Sequence, residues 1–132
     1  MKTRSLHEIK KKIRQLPLNN NIDLIIGIAG GGIIPASIIS KYFNLPLDFI
    51  WLNFRDEHHK PQRVHPELLK PISFDFKNKR ILLVDDRSNS GMTLTAAKAL
   101  LKVAGSITTL VINGPADYSL FNEDCFKMPW EI

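Results

Sequence analysis

Ile81-Leu82-Leu83-Val84-Asp85-Asp86-Arg87-Ser88-Asn89-Ser90-Gly91-Met92-Thr93 decides how the rest of the chain is read. Four consecutive aliphatic residues predict a strand covered on both faces, as in the interior of a parallel sheet. Two carboxylates close that strand, a run of small polar residues follows, and residues 92–103 have helical character. Strand, acidic pair, polar loop and helix N-terminus together suit a phosphorylated sugar. Main-chain N–H groups at a helix start hold a phosphate, and the carboxylates accept from sugar hydroxyls.

Upstream, residues 22–28 predict another apolar strand, interrupted only by Asp23, and Gly27-Ile28-Ala29-Gly30-Gly31-Gly32 follows it. Residues 33–43 then read as a helix with Pro35 in its first turn, where proline is tolerated. Residues 47–52 and 107–112 predict two more strands. The chain opens on a helix over residues 6–16, announced by the S-x-x-E capping box Ser5-Leu6-His7-Glu8, with Leu6, Ile9, Ile13 and Leu16 at helical spacing. Pro17 and the triplet Asn19-Asn20-Asn21 end it. Residues 53–71 carry charge, histidine and three prolines, a loop long enough to be functional or mobile. The tail from Asn113 onward lacks helical pattern and is rich in aromatics. Alternating strands and helices predict an α/β fold, a doubly wound, mostly parallel sheet with right-handed crossovers. Ligands in such sheets sit beyond the carboxyl ends of the strands, where both unusual loops fall.

Composition narrows the function classes. A length of 132 residues predicts a single domain over 1–132, and 44% apolar with 23% charged residues is ordinary for a soluble protein. No apolar run approaches the roughly 20 residues a membrane span needs. The charged N-terminal segment lacks an export signal's apolar core, and one cysteine forms no internal disulfide, so a cytoplasmic protein is expected. The net charge of +5 comes from two basic clusters without interleaved aromatics, and an anionic small molecule accounts for it as well as nucleic acid does.

Rival motifs fail on spacing or length. The glycine triplet is followed by no Gly-Lys-Ser/Thr, and the dinucleotide spacing G-x-G-x-x-G is absent. Strand and acid pair also resemble the first strand of a receiver domain, yet only 46 residues follow Asp86. His58, His59 and His65 complete no zinc-ligand spacing. Cys125 has no recognisable base beside it and reads as a small buried hydrophobe.

The segment Val84-Asp85-Asp86-Arg87-Ser88-Asn89-Ser90-Gly91-Met92-Thr93 resembles the phosphoribosyl-diphosphate (PRPP) motif of type I phosphoribosyltransferases. Gly31-Gly32-Ile33-Ile34-Pro35 resembles the diphosphate loop of the same family, in the right order and about 55 residues ahead. Gly114-Pro115-Ala116-Asp117-Tyr118 and Phe126-Lys127-Met128-Pro129-Trp130 are similar to the purine-binding tail of the small xanthine-guanine and hypoxanthine branch.

This resemblance implies transfer of ribose 5-phosphate from PRPP to a nucleobase, a purine in that branch, with release of diphosphate. It implies that Ser88, Asn89, Ser90, Gly91, Met92 and Thr93 hold the 5-phosphate. Ala29, Gly30 and Gly31 would hold the diphosphate, and Asp85 and Asp86 would face the ribose hydroxyls and Mg2+, directly or through water. An aromatic of the tail, Phe126 or Trp130, would stack on the base. Residues 53–66 would close over the site, with Arg55, Lys60 and Arg63 adding charge, and the tail and N-terminal helix would form a small hood. A homodimer or larger assembly is also implied, with PRPP and a nucleobase or nucleoside monophosphate as ligands.

Three residues depart from the family pattern. Asn89 stands where the purine branch commonly has an Asp, Gly30 where a basic residue often precedes the diphosphate glycines, and Gly114 where a lysine reads the purine 6-oxo group. An amide is no general base, and the missing carboxylate is worth about 10²–10⁴ in rate. Two expectations therefore stand: a phosphoribosyltransferase with Asn89 in its catalytic set, or a regulatory protein that binds PRPP or a nucleotide without turning it over.

Overall fold

Strand β1 (Leu24–Ile28) is buried at every position, because it lies between β2 (Leu47–Ile50) on one side and β5 (Arg80–Arg87) on the other. Ile25 pairs with Leu47 and with Leu82, both in parallel register. The computed structural model describes residues 2–18, 20–53 and 67–131. Among them a five-stranded, wholly parallel sheet runs in the order β2-β1-β5-β6-β7, with β6 at Ser106–Asn113 and β7 at Tyr118–Phe121.

Side-chain alternation sorts this sheet into two apolar layers. Ile25, Leu82, Val84, Leu110 and Ile112 face α1 (Leu6–Arg14), α2 (Ile33–Phe43) and the tail residues Phe126 and Met128. Leu24, Ile26, Ile81, Leu83 and Val111 face the other way, onto Leu94, Ala97 and Leu101 of α3 (Met92–Leu100) and its end. Helices thus cover both faces, as the doubly wound pattern requires. From β1 the chain crosses outward to β2, and from β5 it crosses the opposite way to β6. The strand order therefore reverses between β1 and β5, which places the switch point of the sheet at their carboxyl ends.

Several boundaries differ from the sequence reading. Helix α1 stops at Arg14, and α3 stops at Leu100, where the Leu101 N–H turns to Ala97 and Lys98. The strand predicted over 47–52 is divided. Its first part joins the main sheet, while β3 (Leu52–Asn53) pairs antiparallel with β4 (Glu67–Leu68) in a separate ribbon. The loop predicted over 53–71 therefore has Asn53, Glu67 and Leu68 in that ribbon; residues 54–66, with Arg55, His58, His59, Lys60, Arg63 and His65, lie outside the described residues.

The sequence reading gave the tail no strand, yet β7 pairs parallel with β6 after a connection of only Gly114–Asp117. Parallel neighbours ordinarily need a crossover of a dozen residues or more. Here the return is held by side chains. Asp117 Oδ2 accepts from the Thr109 N–H at 2.8 Å and its hydroxyl at 3.1 Å, and Thr109 Oγ1 accepts from the Asp117 N–H at 3.0 Å. Gly114, at φ +119°, starts the reversal, and its N–H donates to Phe121. No helix among the described residues is long and apolar enough to cross a membrane.

Candidate functional site

Every side chain singled out at the end of β5 emerges from the buried centre of the sheet. Asp85 is only 8% exposed, and Asp86 beside it is partly buried. Asp85 Oδ1 accepts from the Asp86 N–H at 2.8 Å, and Asp86 Oδ1 accepts from the Arg87 N–H at 2.7 Å. Burial, and next the charge of Asp86, push the Asp85 carboxyl up to about 8. Two acids are thus held together where neither is fully solvated, and a cation or a set of hydroxyl donors would relieve them.

The glycine loop meets this pair directly. A Cβ on Gly31 would strike the Asp86 carboxylate, and one on Gly32 would strike the carbonyl oxygens of Ile28 and Val84. Glycine at both positions lets the loop after β1 close onto the end of β5, so the structure brings together two motifs that are far apart in the chain. Gly30 takes φ +93° with open space around it, a conformation that a basic residue would rarely adopt.

The loop after β5 leads into a helix end of a particular kind. Gly91 begins α3 at φ +78° with no side-chain cap, and α2 likewise begins at Gly32 without one. At α1, by contrast, Ser5 Oγ accepts from the Glu8 N–H and Glu8 accepts from the Ser5 N–H, both at 3.1 Å. At the two helices that start at the switch point, the N-cap residue supplies no side-chain acceptor to the first turn. Asn89 and Ser90 are exposed, the Ser90 hydroxyl accepts from the Met92 N–H at 3.3 Å, and Thr93 is half-buried. Ser88 is different: its hydroxyl is buried and has no hydrogen-bond partner among the described residues. Such a group ordinarily has one, so this hydroxyl is available to a ligand.

Arg87, Ser88 and Asn89 also line a cavity of about 250 Å³, with Asn113, Gly114, Pro115, Asn122, Glu123 and Cys125 around it. Asn113 fixes its far side. The Asn113 amide donates to the carbonyls of Glu123 and Asp124 at 3.2 and 3.3 Å and accepts from the Glu123 N–H at 3.0 Å. Two expectations about the tail are corrected here. Phe126 is 0% exposed, edge-on to Phe121 in the core at 5.5 Å between ring centroids, and it has no free face for a base. Cys125 is exposed at the cavity wall and not buried, because Asn113 clips the preceding residues outward while Phe126 turns inward. Trp130 is half-buried against the core layer and does not line the cavity.

The sequence reading gave Arg87, Asn113 and Glu131 no role. Arg87 donates to Asp86, to the Phe126 carbonyl and to Glu131, and the Glu131 carboxylate beside it is the chief reason its guanidinium holds its proton more tightly than usual. A cation directly after an acidic pair on a partly buried strand end needs counter-charges, and that was the available signal. Gly114, where the branch's lysine would stand, packs so closely on Ser88 that a Cβ would strike the Ser88 carbonyl.

The family model for the phosphoribosyl transferase domain matches residues 3–130. Among curated relatives, a hypoxanthine-guanine phosphoribosyltransferase of Mycoplasma genitalium is 35% identical over 96 residues, covering 70% of this chain and 54% of that protein. An orotate phosphoribosyltransferase of Sulfurisphaera tokodaii is 33% identical over 96 residues, covering 71% and 45%. The chain spans about half the length of these relatives. Among solved structures, a purine phosphoribosyltransferase from Pyrococcus horikoshii superposes with a TM-score of 0.83 at 29% identity, covering 98% of this chain and 93% of that one.

Proposed function

The chain belongs to the phosphoribosyl transferase domain family, and from that membership we propose that it moves ribose 5-phosphate from PRPP to a ring nitrogen of a purine base, releasing diphosphate. The observation that carries this reading is the Asp86 carboxylate lying against Gly31, which makes one site of the two motifs. A sugar phosphate fits between the open start of α3 and the acidic pair. The 5-phosphate takes the N–H groups after Gly91, and the ribose hydroxyls donate to Asp85 and Asp86. The diphosphate lies on Ala29, Gly30 and Gly31, beside the uncapped start of α2. The base occupies the cavity next to Ser88 and Asn89, where Cys125 and Pro115 form the wall in place of Phe126, with Trp130 outside it.

The bond from the sugar carbon to the ring nitrogen forms as the bond to the diphosphate oxygen breaks, and the ring proton leaves to water. Charge builds on the sugar carbon in that transition state, so carboxylates held close to the ribose favour it. Asn89 donates or accepts a hydrogen bond at the base without taking its proton. The acidic pair suits Mg2+, whose usual donors are one or two carboxylates with water and substrate phosphate oxygens. Asp85 and Asp86 would hold such an ion, with water and substrate oxygens as its further donors. When bound, the ion neutralises charge on the departing diphosphate. We assign the protein to the cytoplasm, in keeping with its exposed lone thiol, and to a homodimer or larger assembly.

The test is diphosphate release from PRPP and Mg2+ with hypoxanthine, guanine, xanthine, adenine or orotate. Turnover with a 6-oxopurine and not with orotate is expected. Calorimetric binding of PRPP or a nucleoside monophosphate without turnover of any base would replace the enzyme by a nucleotide-responsive regulator.

A further inference from the structure

We propose that Arg87 is a positioning residue that ties the C-terminal tail to the acidic pair, so that the wall of the base cavity and the ribose-binding carboxylates hold a common position. The role given to each end rests on the function proposed above; the tie itself rests on geometry. Arg87 Nη1 lies 3.1 Å from Asp86 Oδ2 and 2.6 Å from Glu131 Oε1. Its Nη2 donates to Glu131 Oε2 at 2.9 Å and to the Phe126 carbonyl at 3.0 Å. Glu131 is fixed in turn, since Oε2 also accepts from the Met128 N–H at 3.0 Å. One guanidinium therefore joins the end of β5 to two points of the tail, 39 and 44 residues further along.

Cys125 stands between two anchors. Asn113 holds Glu123 and Asp124 before it, and Arg87 holds Phe126 after it. The cavity wall is thus suspended between the ends of β5 and β6. A planar fork of donors can serve a carboxylate bidentately while reaching a carbonyl and a second carboxylate; an ammonium serves these as a point charge. A ligand group that draws Asp86 away from Arg87 alters how firmly the tail is held, and by linkage a base against the tail alters the hold on Asp86.

The experiment is native-state trypsin digestion of the full chain, following cleavage after the exposed Lys127 by mass spectrometry. Cleavage after Lys79 and Lys98 serves as the control for global opening. Arg87→Met is expected to speed the Lys127 cut about tenfold with the control cuts unchanged, Arg87→Lys less, and Glu131→Gln about as much as Arg87→Met. The double variant should match the single variants within about twofold, since both break one contact. A wild-type rate in Arg87→Met, or effects that multiply in the double variant, would overturn the proposal. In turnover, Arg87→Met should raise KM for the base about tenfold and raise KM for PRPP with it; an unchanged KM for both would also refute the proposal. If the wild-type protein turns over no base, the proposed function fails while the digestion still decides the role of Arg87.

Discussion

The two ends of β5 treat charge in opposite ways. Where the strand begins, Arg80 closes a fork on Asp23, with Nε donating at 3.0 Å, Nη2 at 2.9 Å and the main-chain N–H at 2.8 Å. These bonds hold the Asp23 carboxyl down at about 2, at the solvent-exposed amino end of the strand. Where the strand closes, Asp85 is buried against another acid and its carboxyl rises to about 8. The same eight-residue strand pairs its charge in solvent at one end, whereas at the other Arg87 reaches Asp86 and leaves Asp85 without a cation partner among the described residues. Unmet charge weakens the fold unless a ligand answers it, so it marks the working end.

That contrast can be broken at several points. The largest effect is expected from Asp85→Asn combined with Asp86→Asn, which should lower PRPP affinity in the presence of Mg2+ by at least about a hundredfold in calorimetry. Retained affinity would mean that the acids do not face the ribose. Gly31→Ala comes next. Its methyl group must displace the Asp86 carboxylate, and a loss of about tenfold in PRPP affinity is expected from that overpacking.

Asp85→Asn alone sharpens the comparison through pH. A carboxyl raised from 3.8 to about 8 by folding contributes stability that is complete below pH 3.8 and is lost as pH rises through about 8. The amide variant has no such loss. Its Tm advantage over the wild type should grow steadily from pH 4 to pH 8 and then level off. The smallest effect belongs to the opposite end. Asp23 has its carboxyl lowered, so its contribution is present above pH 3.8 and disappears as pH falls through about 2. Asp23→Asn should cost at most about 2 °C at pH 7, since the pair is exposed to solvent, and nothing near pH 2.

The parts legible in the sequence were those with local causes. The capping box of α1, the aliphatic runs of β1 and β5, and the order of the two ligand loops each declare themselves within a dozen residues. Strand β7 did not, because a four-residue return between parallel neighbours depends on Asp117 reaching back to Thr109. Phe126 and Cys125 exchanged their expected places for a similar reason. Which of two adjacent side chains enters the core is set by Asn113 and Arg87, which lie on other elements. Composition offers no trace of such long-range side-chain hydrogen bonds.

The contact between Gly114 and Ser88 limits how this site can be redesigned. A lysine at position 114 is the simplest way to add a 6-oxo reader, yet any side chain there would run into the Ser88 carbonyl, and φ +119° disfavours it further. The exchange is therefore closed to a single substitution. On the proposed function, moving the 88–90 loop or lengthening the 114–117 return would open it, so base preference and the geometry of the proposed phosphate loop would be engineered together.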